Sequence, residues 1–212
     1  VNSAYNFIDL DGGDQYIDTG ALDSALEPPL SASIWVKTSS SGNEVLIQDD
    51  TIASGLLYIR SGDELSFYSG GQEKTFSWTP DNTWTHIVLT LSTSANPLIY
   101  VNSSLLTTAG DVSGTPSSTS FSSIRIGGNS VGSFLNGSVS QVAVWNKVLS
   151  SPEVSAIYNL GRHGNLLDSY SDNLKGYWAM SSLDASTGLS DSISTIYDRS
   201  GNSNHGTPQN AD

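Results

Sequence analysis

The sequence predicts an all-β fold, a two-sheet antiparallel jelly-roll sandwich carrying one short helix. Three observations support this. Apolar and polar residues alternate with period two in short runs, as they do in half-buried strands. Turn-forming residues bound those runs at the spacing of a sandwich, giving about a dozen strands. A single segment carries the start and stop signals of a helix.

Taken in order, "LSASIWVKTS" places Leu30, Ala32, Ile34 and Val36 on one face. "LLYIRSGDELSFYSG" reads as a hairpin, with Ser61, Gly62 and Asp63 supplying the turn between Tyr58-Ile59 and Leu65-Phe67. "WTHIVLTLS" repeats the alternation with Ile87, Leu89 and Leu91, and "SSIRIGG" with Ile124 and Ile126. "PLIYVNSS" and "FLNGSVSQVAVW" add two more strands. The helix lies in "LSSPEVSAIYNLG": Ser151 is placed to cap it, Pro152 fits its first position, Glu153 complements its dipole and Gly161 can end it. Val154, Ile157 and Tyr158 form its inward face. Beyond it, "RHGNLLDSYSDN" reads as a linker, "LKGYWAM" as a strand and "SSLDASTGLSDSIST" as a long loop.

Composition narrows the function. The 212 residues can bury a core without staples, and zero Cys removes thiol chemistry and Cys-based zinc sites. A formal charge of −13 from 8 basic and 21 acidic residues repels polyanions, so no nucleic-acid partner is expected. No apolar run reaches membrane-spanning length, so no membrane insertion is expected. With only 14% charged residues, the polar surface is built from Ser, Thr, Asn and Gly, which suits neutral hydrogen-bonding ligands.

In sequence order, "FIDLDGGDQYIDTG", "ASIWVKTS", "WTHIVLTL", "IYVNSSLL", "IRIGG" and "FLNGSVSQVAVWNKVLSSPEVSAIYNLG" resemble the laminin-G-like, concanavalin-A-like jelly rolls, relatives of the pentraxins. The resemblance implies a jelly roll over residues 1–161, with residues 162–212 a C-terminal segment packing on or completing the same sandwich. "GYWAMSS…YDRSGNSNHGT" also resembles the family, where it usually opens the domain; here it closes the chain. Folding back onto the sandwich is the favoured expectation, since an unpaired edge would otherwise remain; the start of a second repeat is the alternative. The resemblance further implies a carbohydrate-binding or adhesion module of a secreted or phage surface protein, with glycans or cell-surface polysaccharide as partner, within a larger multidomain or virion assembly. Its alternative is a structural or protein-interaction domain with no sugar site. The location it implies is extracellular or on a virion surface. Trp35, Trp84, Trp145 and Trp178 match core-type positions of that family.

Three patterns bear on chemistry. Asp198, Asn202 and Asn204 in "YDRSGNSNHGT" offer alternating oxygens for a structural calcium ion, joined by Asp11 and Asp14 if the chain ends meet. An Asx-type turn that launches a strand is the other reading of the same residues. Relatives take a further Asp from a Gly-x-Ile-Asp-Glu pattern where this chain has Ser140-Gln141. "GGNSVG", from Gly127 to Gly132, matches the nucleophile-elbow pattern, but strand signals lie on both sides where an elbow needs a helix, so a hairpin loop is expected. Paired carboxylates for glycoside cleavage would alternate along one strand, and Glu44 and Asp49 in "NEVLIQDD" have the wrong parity. His86, His163 and His205 suggest no triad, and no catalysis is expected. The aromatics free to stack on a sugar ring are Trp78, Tyr58, Tyr68 and Tyr100.

Overall fold

In the computed structural model, residues 7–49, 55–69, 72–110, 120–129, 132–180 and 194–210 are described. The strands run β1 (Ile8–Asp11), β2 (Tyr16–Leu26), β3 (Leu30–Lys37), β4 (Glu44–Gln48), β5 (Gly55–Arg60), β6 (Glu64–Ser69), β7 (Gln72–Ser77) and β8 (Thr85–Leu91). They continue through β9 (Leu98–Val101), β10 (Ser104–Leu105), β11 (Thr108–Gly110), β12 (Phe121–Ile126) and β13 (Asn136–Trp145). Helix α1 (Ser151–Leu160), a 3-10 turn at Leu166–Asp168, β14 (Leu174–Trp178) and β15 (Thr207–Gln209) complete the chain. The long loop expected after "LKGYWAM" falls mostly on residues 181–193, outside the described residues.

The alternation read from the sequence separates two antiparallel sheets. One has the order β1-β13-β3-β8-β9-β10, with β14 also on β13; the other has the order β11-β7-β6-β5-β4-β12-β2-β15. The predicted inward residues Leu30, Ala32, Ile34, Val36, Ile87, Leu89, Leu91, Ile124 and Ile126 all lie in the core between the sheets. The hairpin turn at Ser61, Gly62 and Asp63 joins Arg60 to Glu64 as cross-strand partners.

Strand β13 organises the first sheet. One flank pairs with β3 from Ser138 to Trp145. The other is shared end to end: β1 pairs with Asn136 to Val139, and β14 with Val142 to Trp145. The register shifts between those two halves, and Gln141 there takes a φ of +48°. This is a β-bulge in which the side chain is reused. Its amide donates to the Gly164 carbonyl at 2.5 Å and accepts from the Tyr177 hydroxyl at 2.8 Å. Gly176 in β14 is needed because a Cβ there would lie 2.3 Å from the Trp178 indole.

The outer face of the first sheet is covered as well. Val88, Tyr100, Ala143, Trp145 and Tyr177 pack under Val154 and Ile157 of α1, forming a second core. Trp145 keeps its indole N–H satisfied by the Tyr170 carbonyl at 2.8 Å. The helix starts one residue earlier than the sequence suggests. Ser150, not Ser151, is the cap, because Glu153 accepts its N–H and its hydroxyl, both at 2.7 Å, while also pairing with Lys147. Gly161 ends the helix at φ +70° and ψ 175°, a region nearly confined to glycine. The "GGNSVG" segment is also corrected. It connects β12 in one sheet to β13 in the other rather than closing a hairpin, with Ser130 and Val131 outside the described residues.

His86 lies in the same covered face, 1% exposed, stacked on Trp35 at 5.0 Å and near Tyr158 at 6.1 Å. Among the described residues nothing hydrogen-bonds its Nδ1, and burial depresses its pKa to about 4. An unfolded histidine titrates at about 6.5, so the unfolded chain takes up a proton that the folded chain refuses. The stability this group contributes is therefore complete above about pH 6.5 and lost as pH falls toward 4, by about 3 kcal/mol in all. The melting temperature is expected to fall across that window, and His86→Phe to flatten that part of the profile; a variant as acid-sensitive as the parent would refute the assignment.

Candidate functional site

The second sheet turns its other face outward, and the period of two decides what that face carries. In β5 and β6, Leu57, Ile59, Leu65 and Phe67 point into the core, so Tyr58, Arg60, Ser66 and Tyr68 point away. Pairing of Tyr58 with Ser66 and of Tyr68 with Glu73 brings these side chains together across three strands. With β4 and the segment after β12 they enclose an open cavity of about 450 Å³, whose walls include Tyr58, Tyr68, Gln48 and Asn129.

The cavity's polar groups are ordered. Glu73 accepts from the Tyr58 hydroxyl, from the Ser66 hydroxyl at 2.7 Å, and from the guanidinium of Arg60. Burial alone would raise its carboxyl, but the hydrogen bonds from Arg60, Tyr58 and Ser66 outweigh burial and hold it below the ordinary carboxylate value. The Tyr58 hydroxyl is pushed up, first by burial and then by Glu73, and so remains a donor. Asn129 donates to Gln48 at 3.3 Å and accepts from the Ser133 N–H at 3.1 Å. Glu44 also lines the wall. Burial raises its carboxyl, and hydrogen bonds from Ser40 and the Asn136 N–H only partly offset that.

Of the four aromatics nominated from the sequence, Tyr58 and Tyr68 meet in this cavity. Trp78 packs half-buried against the core between the sheets. Tyr100 is 6% exposed in the core beneath α1, so it has no face to offer a ligand. Glu44, Arg60, Glu73, Gln48 and Asn129 were not nominated as ligand contacts. Parity along β5 to β7 could have placed Arg60 and Glu73, whereas register shifts in β4 and its partners hide the parity of Glu44 and Gln48.

In the C-terminal loop Asp198 is held by hydrogen bonds on both carboxylate oxygens. Its Oδ1 accepts from the backbone N–H groups of Tyr177 at 2.9 Å and Ser200 at 2.8 Å. Its Oδ2 accepts from the Ser200 hydroxyl at 2.8 Å and the Asn204 N–H at 2.9 Å. Asn202 donates to the Leu174 carbonyl at 2.9 Å, and Asn204 donates to the Lys175 carbonyl at 2.7 Å while accepting from the Asp23 N–H at 3.0 Å. Asp11 accepts from the Gly13 N–H at 2.7 Å, and the Asp14 backbone carbonyl accepts from Asn210 at 3.0 Å. Among the described residues no three acidic, His or Cys side chains gather as a cation site. A carboxylate whose two oxygens each face two donors suits a hydrogen-bonded turn, and it does not fit calcium, which needs those lone pairs.

A family model, laminin G type 3, described as the concanavalin A-like lectin/glucanases superfamily, matches residues 11–155. Among solved structures, a protein from Bacteroides ovatus provisionally described as carbohydrate binding aligns at TM-score 0.65 and 18% identity, over 95% of this chain and 57% of its own. A heptameric SAP-like pentraxin from Limulus polyphemus aligns at 0.53 and 16%, over 74% and 82%. The receptor binding domain of a botulinum neurotoxin C/D mosaic aligns at 0.57 and 19%, over 77% and 45%. At such identities the likeness is one of fold. This chain spans little more than half the length of the Bacteroides protein. No curated protein matches it.

Removing the Asp198 carboxylate strands four donors, three of them backbone N–H groups. Asp198→Ala is expected to cost about 3 kcal/mol or more, about 10 °C in melting temperature. Chelator and excess calcium are expected to give superimposable melting curves; a calcium-dependent rise that Asp198→Ala abolishes would restore the cation reading.

Proposed function

The chain belongs to the laminin-G-like branch of the concanavalin A-like lectin/glucanase superfamily, and from that premise we propose a non-catalytic carbohydrate-binding or adhesion module whose ligand sits in the cavity outside β4 to β7. The observation that carries this is the pairing of two tyrosine rings with a ring of hydrogen-bonding groups on one open face. A pyranose presents an apolar face to stack on an aromatic and hydroxyls to exchange hydrogen bonds at its edge, and Tyr58 and Tyr68 beside Gln48, Asn129 and Glu73 answer both needs. Much of the ordering is done before a ligand arrives, because Glu73 already fixes Tyr58, Ser66 and Arg60.

The same geometry argues for binding rather than turnover. Hydrolysis of a glycosidic bond needs two carboxyl groups placed across the substrate, one of them free to pass a proton, and Glu73 is held ionised by three donors. An extracellular or virion surface is the setting proposed for such a module, where saccharides are the accessible partners.

A glycan array is expected to show binding to neutral or weakly charged saccharides. Tyr68→Ala is expected to weaken it about three- to tenfold, the worth of one stacked ring, with Tyr68→Phe close to the parent. A blank array would decide for a structural or protein-interaction domain instead.

A further inference from the structure

The direction of the hydrogen bonds in the cavity wall is fixed from the backbone outward. The Ser133 N–H can only donate, so the group it meets at 3.1 Å is the Asn129 oxygen, Oδ1. Asn129 therefore turns Nδ2 toward Gln48 at 3.3 Å, and Gln48 must answer with Oε1. The Gln48 amide nitrogen is left over. Among the described residues it reaches no acceptor, and it is not among the polar atoms sealed from solvent, although Gln48 as a whole is only 8% exposed. Asn43 on the same wall repeats the arrangement: its Oδ1 accepts the Ser61 N–H at 3.0 Å, which leaves its Nδ2 without an acceptor among the described residues.

The acidic acceptors of the wall are committed too. Glu73 is filled by Tyr58, Ser66 and Arg60. Glu44 accepts from Ser40 and the Asn136 N–H, and its Oε2 is closed to solvent. The wall's amide and carboxylate oxygens are thus spent inside the protein, while two amide nitrogens are not.

We propose that Gln48 Nε2, assisted by Asn43 Nδ2, donates to a neutral carbonyl on the ligand, so that the module selects saccharides carrying acetamido groups. This deepens the saccharide reading of the cavity and rests on it. A sugar hydroxyl that accepts from Gln48 brings a proton of its own, which then needs an acceptor where the amide and carboxylate oxygens are already occupied. A carbonyl accepts and brings no proton. A carboxylate also accepts, but it carries a like charge toward Glu44 and toward a chain of formal charge −13. The acetyl methyl adds apolar surface for the rings of Tyr58 and Tyr68.

The test is calorimetric titration of the whole chain with three oligosaccharides of equal length: an N-acetylglucosamine oligomer, a glucose oligomer of the same linkage and an oligogalacturonate. The acetylated oligomer is expected to bind about three- to tenfold more tightly than the glucose oligomer, the worth of one neutral hydrogen bond, and the uronate more weakly than either. Gln48→Glu and Asn43→Asp each keep the oxygen that the protein uses and replace the donor with an acceptor. Loss of the preference in either variant supports the assignment and identifies the amide that makes the contact. Equal affinities for the acetylated and glucose oligomers in the parent chain, or a preference that survives in both variants, overturn it and leave the saccharide site standing. Absence of binding by all three oligomers, together with a blank glycan array, overturns both. Should Gln48→Glu fail to fold, the ranking of the three oligomers on the parent chain decides alone.

Discussion

Everything in the first sheet depends on β13 being paired on both flanks to either side of the bulge at Gln141. A strand buried from Val139 to Trp145 cannot leave many backbone groups there unpaired. Its partners on one side come from opposite ends of the chain, β1 covering one half and β14 the other. The bulge at Gln141 falls where the two partners change over, and its side chain ties the joint to the Gly164 carbonyl and to Tyr177 in β14. Asp198 then holds β14 from behind by accepting the Tyr177 N–H and organising the turn that leads to β15. The carboxylate does locally, through hydrogen bonds, what a bound cation would do through coordination.

Much of this architecture was legible before any coordinates. Alternation identified the inward faces of β3, β8 and β12 because each has an apolar side and a polar one. The helix was legible from Pro152, Glu153 and Gly161, though the cap itself moved by one residue: Ser150 and Ser151 are chemically equivalent, and only the reach of Glu153 separates them. What alternation could not show was sheet membership. The segment between β12 and β13 reads locally as a hairpin, because a crossing between sheets uses the same turn residues as a return within one.

The site was half legible for a similar reason. Tyr58 and Tyr68 stand out as aromatics on strands whose opposite residues are apolar. Tyr100 has the same local pattern, yet α1 covers its face and makes it core. The charged members of the cavity come from β4, β5 and β7, and their relations exist only once cross-strand register is known. Arg60 and Glu73 lie on different hairpin arms and become a neutral pair by register alone. The electrostatic character of the cavity is thus a property of tertiary structure.

The meeting of distant segments has a consequence for how the protein is made. The Asp23 N–H finds its acceptor on Asn204, 181 residues away, and Asp14 is bonded by Asn210 across 196. Contacts of such separation give a high contact order and slow closure. During synthesis the flank of β13 that β14 will cover stays open until Leu174 to Trp178 have left the ribosome, and the edge of β2 waits longer for β15. A nascent chain in that interval presents unpaired strand edges to its neighbours, so its yield is governed by translation rate and chaperone supply as much as by the stability of the finished sandwich.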